Sequence, residues 1–222
     1  MFHVHNFLSE KEANFLVKKA QSKENPYSIR PSTTGHKSWT QGGEGSVATT
    51  RTSHNGFDVD SPTAMSVKKR AFDLLRIPYL ETMADGIQIL RYKPKQAYIG
   101  HHDYFPTAQS GDFNWDPQAG GSNRFATVLL YLSDVSEGGG TVFTLKPNAS
   151  ATELHGEKSL QELVGGSDAA KLFDKASQPW EGELVKKCFT NFRLLPKKGD
   201  AILFYVRDAA ASWLLLLLLR CR

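Results

Sequence analysis

The second half of the chain constrains its fold most. After Gly86 it breaks into short β-rich runs, IQILRY, FATVLLYL, TVF and AILFYV, separated by loops of Gly, Pro, Asp and Asn. Two helical signals come before them. Ser9 with Glu12 forms a capping box ahead of Ala13, Leu16, Val17 and Ala20, which fall at the i, i+3, i+4, i+7 spacing of an amphipathic helix. Ser61-Pro62 supplies an N-cap and an N1 proline, followed by Ala64, Val67, Ala71 and Leu74, and this second helix must stop before Pro78. Helices first and strands afterwards predict an α+β chain: an antiparallel β core with N-terminal helices packed on one side. Asn25 to Asn55, rich in Gly, Ser and Thr, reads as loops and short edge strands, and Pro106 to Asn123 as a turn-rich loop. Asn148 to Glu183 reads as a polar excursion, mildly helical around Ser159 to Val164 and Ala169 to Ala176.

With 222 residues and 40% hydrophobic content, the chain can bury one core, so one domain is expected. The 27 basic and 23 acidic residues are spread along it, without the clustered stripe of a nucleic-acid footprint, and no nucleic-acid partner is expected. The N-terminal MFHVHNFLSEKEANFL has no basic stretch followed by an apolar one, so neither signal peptide nor anchor is expected. Ala209 to Leu219 is apolar apart from Ser212, but shorter than the ~20 residues that cross a bilayer, so no membrane span is expected there. Cys188 and Cys221 are too few for a disulfide framework and leave the redox compartment undecided.

The tract Tyr98-Ile-Gly-His-His-Asp-Tyr-Phe105 carries the chemistry. A His and a carboxylate two residues apart on a strand share a face, and His101 and Asp103 meet that condition. They are two-thirds of the 2-His-1-carboxylate triad that leaves open positions on Fe(II). Such a spacing also occurs by chance, and adjacent histidines in a loop are commonly surface residues.

The order of the surrounding motifs adds a family resemblance. His5-Asn-Phe-Leu-Ser9, Arg51-Thr-Ser53, Gln88-Ile-Leu-Arg-Tyr92, the His101 tract, Arg124 to Asp134, Glu137 to Phe143 and Pro196 to Phe204 follow one another as they do in the prolyl 4-hydroxylase catalytic domain, which the chain resembles over nearly its whole length. The resemblance implies a double-stranded β-helix (jelly-roll) core and an Fe(II)- and 2-oxoglutarate-dependent dioxygenase that hydroxylates peptidyl proline at C4 and turns 2-oxoglutarate into succinate. Dioxygen is the oxidant implied, ascorbate the reductant, a proline-containing peptide or protein the partner, and the endoplasmic reticulum the compartment. His101 and Asp103 match the iron ligands, with His102 facing away. Tyr92 matches a tyrosine that contacts 2-oxoglutarate, and Tyr131 and Thr141 match residues lining its pocket; on pattern alone, all three read equally as core. Arg51 and Ser53 match a motif beside the peptide groove, with an exposed basic strand as the alternative.

The pattern breaks after Phe204. The family's second iron-binding histidine and its 2-oxoglutarate lysine should follow there, but the seven histidines are His3, His5, His36, His54, His101, His102 and His155, and residues 207–222 read RDAAASWLLLLLLRCR. Residues 1–206 therefore read as a prolyl 4-hydroxylase-like domain incomplete at its C-terminal end, and 207–222 as an aberrant apolar tail. The tail lacks the alternation of a half-buried strand, so a helical or irregular segment beside an unpaired sheet edge is expected. His155 is a conceivable third ligand, though a surface histidine is the simpler reading. Two functions stay open: an oxygenase, impaired in this chain, or a non-catalytic peptide-binding module that has lost the metal.

Overall fold

The computed structural model of the chain describes residues 1–34, 46–47, 51–94, 96–104, 123–136, 138–151, 158–159, 162–163, 179–206 and 215–218. Helix α1 (Glu10–Gln21) starts as its sequence dictates: the Ser9 side chain accepts from the Glu12 N–H, and Glu12 accepts from the Ser9 N–H at 2.8 Å. Helix α2 (Pro62–Leu75) is capped by Ser61 and ends at Arg76, which takes a left-handed φ of 60° ahead of Pro78. Leu16 and Ala13 of α1, Val67 of α2 and Ile89 share one buried cluster with Ala201, so both N-terminal helices close over the same core.

Twelve strands occur among the described residues, and every pairing between them is antiparallel. One sheet has the order β1-β11-β8, with β1 at Phe2–Val4, β8 at Ala126–Leu130 and β11 at Ala201–Tyr205. A second has the order β10-β9-β12-β7, built from β7 (Tyr98–His102), β9 (Thr141–Pro147), β10 (Asn191–Leu194) and β12 (Leu215–Leu218). A third, β2-β5-β6, joins Arg30–Pro31, His54–Asp58 and Ile87–Arg91, and β3 (Thr33–Thr34) pairs with β4 (Ser46–Val47). The first two sheets meet through buried Phe143 of β9 and Ile202 and Phe204 of β11, with Phe143 edge-on to Phe204 at 5.8 Å. The α+β, strand-rich reading holds. Gly138 and Gly139 take φ of 75° and 68° and turn the chain into β9.

Two expectations fail. Leu215–Leu218 is neither helical nor irregular: it forms β12, between β9 and β7, and pairs with both. The sheet edge expected beside β7 is therefore filled. Pairing on both edges supplies the backbone ladder whatever the side-chain order, and alternation reports only whether one face is wet, so its lack does not exclude a strand. Second, the stretch read as polar excursion up to Glu183 includes the start of a helix, α3 (Pro179–Thr190), whose Leu184, Val185 and Cys188 are buried; Leu184 and Cys188 pack with Ala97 and Val142. Cys188 is disulfide-bonded. The loop read over 106–122, the helical stretch read over 169–176 and His155 lie outside the described residues. Among the described residues, no helix is long and apolar enough to cross a membrane.

Candidate metal and cosubstrate site

In a regular strand, Tyr98 and His101 would face opposite sides, since they are three residues apart. The β7–β12 pairing prevents this. Leu218 stands opposite Tyr98 and Leu216 opposite His101, so three steps on β7 match two on β12, and the extra residue returns both rings to one face. They stack with centroids 3.7 Å apart and planes 15° from parallel. Arg51 forms a β-bridge with Tyr98 and sets its guanidinium carbon 4.6 Å from the centre of the same ring.

The stack fixes His101 against Asp103. His101 Nε2 lies 3.2 Å from Asp103 Oδ1, and its Nδ1 lies 2.9 Å from the Ile99 carbonyl oxygen. A carbonyl only accepts, so these partners assign the ring proton to Nδ1 and turn the Nε2 lone pair toward the carboxylate. Two lone pairs facing each other at that distance need a second ring proton or a cation between them. Thr127 Oγ1 donates to Asp103 Oδ2 at 2.7 Å, and Arg124 Nη1 stands 4.0 Å from Oδ1. Burial pushes the Asp103 carboxyl up, but the His101 contact, the Thr127 hydroxyl and the Arg124 charge outweigh it, and the group is held below the usual carboxylate range. His102, between the two, is exposed.

Tyr92 follows β6 directly. Burial pushes its hydroxyl up to about 12 against the opposing Arg51 charge, and although Ser53 is near enough to offset a further part of the shift, the Oη makes no hydrogen bond. Arg51 Nε is likewise buried and unpartnered. Buried polar atoms are rarely left so, and two beside one another mark a place for a polar ligand group. Arg51 is buried, so the exposed-strand alternative does not hold; Ser53 is also buried, its Oγ 2.9 Å from Ser32 Oγ. Tyr131 donates to Thr141 Oγ1 at 2.8 Å, and burial pushes its own hydroxyl up to about 12. Thr141 pairs with Leu218, which pairs with Tyr98, so at the usual strand spacing the Tyr131–Thr141 pair stands roughly 10 Å from the Tyr98 position. Tyr92, Arg51 and Ser53 are thus brought together beside the Tyr98–His101 stack, and Tyr131 with Thr141 forms a second group beyond β12. Sequence reasoning missed Tyr98 and Thr127. Tyr98 stood in the motif tract, but only the bulge turns it toward His101.

A family model described as the 2OG-Fe(II) oxygenase superfamily matches residues 87–211, more than half of the chain. The chain belongs to the 2OG-Fe(II) oxygenase superfamily. Within it, this oxygenase is similar to plant prolyl 4-hydroxylases: it is 31% identical over 204 residues to probable prolyl 4-hydroxylase 10 of Arabidopsis thaliana, covering 90% of the chain and 56% of that protein. To prolyl 4-hydroxylase 5 of the same plant it is 31% identical over 211 residues, 94% of the chain and 58% of the relative. The chain spans about half the length of the curated relatives it matches. The viral collagen prolyl hydroxylase of Paramecium Bursaria Chlorella virus-1 aligns with a TM-score of 0.48 at 17% identity, over 99% of this chain and 86% of the viral one.

Fe(II) and 2-oxoglutarate are the metal and cosubstrate of this superfamily, with dioxygen and ascorbate typical of its chemistry. The facing lone pairs of His101 and Asp103 fit a divalent cation, and the unpartnered Tyr92 hydroxyl fits a carboxylate ligand. The third protein ligand implied by the resemblance has no counterpart in the sequence after Phe204, nor has the lysine.

Proposed function

We propose that this chain is the oxygenase domain of a peptidyl-proline 4-hydroxylase, with His101 and Asp103 as its Fe(II) ligands. The observation that carries this reading is the 3.2 Å approach of His101 Nε2 to Asp103 Oδ1 with the Nδ1 proton already committed to Ile99. When bound, Fe(II) would activate dioxygen, the oxidant, with 2-oxoglutarate as the two-electron reductant that would leave as succinate and carbon dioxide. The protein's own part is positional. Tyr98 and the Ile99 carbonyl hold the imidazole, Thr127 and Arg124 hold the carboxylate, the unpartnered Tyr92 hydroxyl would donate to a 2-oxoglutarate carboxylate, and Tyr131 with Thr141 would line the pocket further along. Arg51, held by its bridge to Tyr98, would border the groove for a proline-containing peptide, with Ser53 buried behind it against Ser32. The division of β7 to β12 over two facing antiparallel sheets, with β8 and β11 in one and β7, β9, β10 and β12 in the other, supports the jelly-roll reading.

With two protein ligands from residues 1–222, iron is held weakly and succinate formation by this chain stays near background. Fe(II) titration in the presence of 2-oxoglutarate, followed by the visible charge-transfer band of an iron-bound 2-oxo acid, tests the assignment. His101→Ala removes the band; an unchanged band and affinity in that variant would mean that the ligands are wrongly assigned. Robust turnover by residues 1–222 would refute the incomplete ligand set and make His155 the next residue to mutate.

A further inference from the structure

On a different sheet from β7, the N-terminal strand brings a second set of metal-binding side chains together. His3 lies on β1 and His5 two residues on, so their imidazoles share a face, with ring centroids 4.1 Å apart. Both converge on one oxygen: His3 Nε2 and His5 Nδ1 are each 2.9 Å from Asp200 Oδ2. The other carboxylate oxygen accepts the Asn6 backbone N–H at 3.0 Å and is thereby fixed. Asp200 has no exposed surface, whereas the His3 and His5 side chains are 31% and 63% exposed, so solvent reaches the cluster from the histidine side.

The backbone holding Asp200 is well tied. The Leu8 N–H donates to the Gly199 carbonyl at 2.8 Å, the Gly199 N–H to Tyr131 at 2.9 Å and the Asp200 N–H to Lys197 at 3.0 Å. Gly199 has φ +91°, and a Cβ there would meet the Leu8 carbonyl oxygen at 2.8 Å, so the turn that aims Asp200 at β1 requires glycine. One imidazole is enough to partner a buried carboxylate oxygen; two on the same atom, with solvent on the open side, make a three-ligand set. The three ligand atoms lie within 4.8 Å of one another. Tetrahedral zinc with bonds of ~2.0–2.1 Å spaces its ligands roughly 3.3 Å apart, so each imidazole nitrogen has to move only a few tenths of an ångström from the 2.9 Å it keeps to Asp200, and the exposed rings can turn to set their own separation.

We propose that His3, His5 and Asp200 form a zinc site, with water in the fourth position, that clips β1 to the start of β11. Two imidazoles, one carboxylate and an open position are the donor set zinc accepts, and the bound ion joins residues 197 positions apart. The site is separate from His101 and Asp103 and does not depend on their role.

Calorimetric titration of the tag-free chain with Zn(II), together with hydrogen exchange at the β1 amides, tests it. In His101→Ala, which takes away the His101–Asp103 site, one equivalent binds and slows exchange at Phe2, His3 and Val4, and the wild type shows the same protection there. In His3→Ala, which removes an exposed side chain and leaves the fold intact, affinity falls by at least about tenfold, the loss that removal of even an outer-shell partner produces, and the protection disappears. His5→Ala behaves alike. A His3→Ala protein that binds Zn(II) as the wild type does, or wild-type binding that leaves β1 exchange unchanged, overturns the proposal.

Discussion

Tyr98 lies flat on His101, ring centroids 3.7 Å apart, because β7 carries one residue more than the strand it pairs with. The contact holds the imidazole in plane with its Ile99 bond and leaves Nε2 toward Asp103. Tyr98→Ala frees the ring and should weaken Fe(II) binding in the presence of 2-oxoglutarate by roughly tenfold, the scale of losing an orienting partner, whereas Tyr98→Phe keeps the stack and binds as wild type. Equal affinities for the alanine and phenylalanine variants would remove the orienting role from Tyr98.

The Arg70–Glu12 pair gives the N-terminal helices a defined acid response. Arg70 Nη2 lies 2.6 Å from Glu12 Oε1, and this hydrogen bond is the main cause that holds the Glu12 carboxyl down at about 2; burial opposes it and Ser9 adds to it. A folded pKa below the unfolded 4.5 means a contribution fully present above pH 4.5 and lost as pH falls toward 2. Because the Arg70 side chain is 38% exposed, screening leaves about 1 kcal/mol. Arg70→Met should therefore lower denaturant stability by about that much at pH 7, with the gap to wild type closing between pH 4.5 and 2. A gap that persists unchanged at pH 2 would assign the loss to packing.

β12 is hydrogen-bonded on both sides, Leu217 standing opposite Val142 of β9. Proline there removes a ladder donor from a strand interior, where it is not tolerated. Leu217→Pro should cost about 2 kcal/mol, lowering Tm by roughly 4–8 °C for a chain of this size, and should promote aggregation through the edges of β7 and β9. Leu217→Val keeps the donor and should change Tm little. If both variants melt with the wild type, the strand contributes nothing to the sheet.

Tyr131 and Thr141 satisfy each other in a buried place, hydroxyl to hydroxyl at 2.8 Å. Removing either partner leaves the other hydroxyl short of its bond, at a cost of about 1–3 kcal/mol. Tyr131→Phe and Thr141→Val should each destabilise on that scale, and the double variant should lose clearly less than their sum, as chemical denaturation of all four proteins would read out. Strict additivity would mean the two hydroxyls have other partners.

The local signals in the sequence were enough for the helix starts and for half of the candidate site. Ser9 with Glu12, and Ser61 with Pro62, cap helices through contacts three residues apart. His101 and Asp103 share a face because a strand repeats every two residues. What lay beyond such contacts needed the tertiary structure. The extra residue in β7 exists only relative to its partner strand, and it decides that Tyr98, not a neighbour at even spacing, supports His101. The six-leucine run shows no strand period, so nothing local marks it as a strand, and its place between β9 and β7 is set by pairing with residues more than 70 positions away. Arg51 is a basic residue in an ordinary tract until the bridge to Tyr98 buries it. His3 and His5 announce nothing in a short N-terminal strand; the carboxylate that joins them arrives from position 200 only when β1 pairs with β11, since closure over that distance is a property of the folded sheet and not of any local segment.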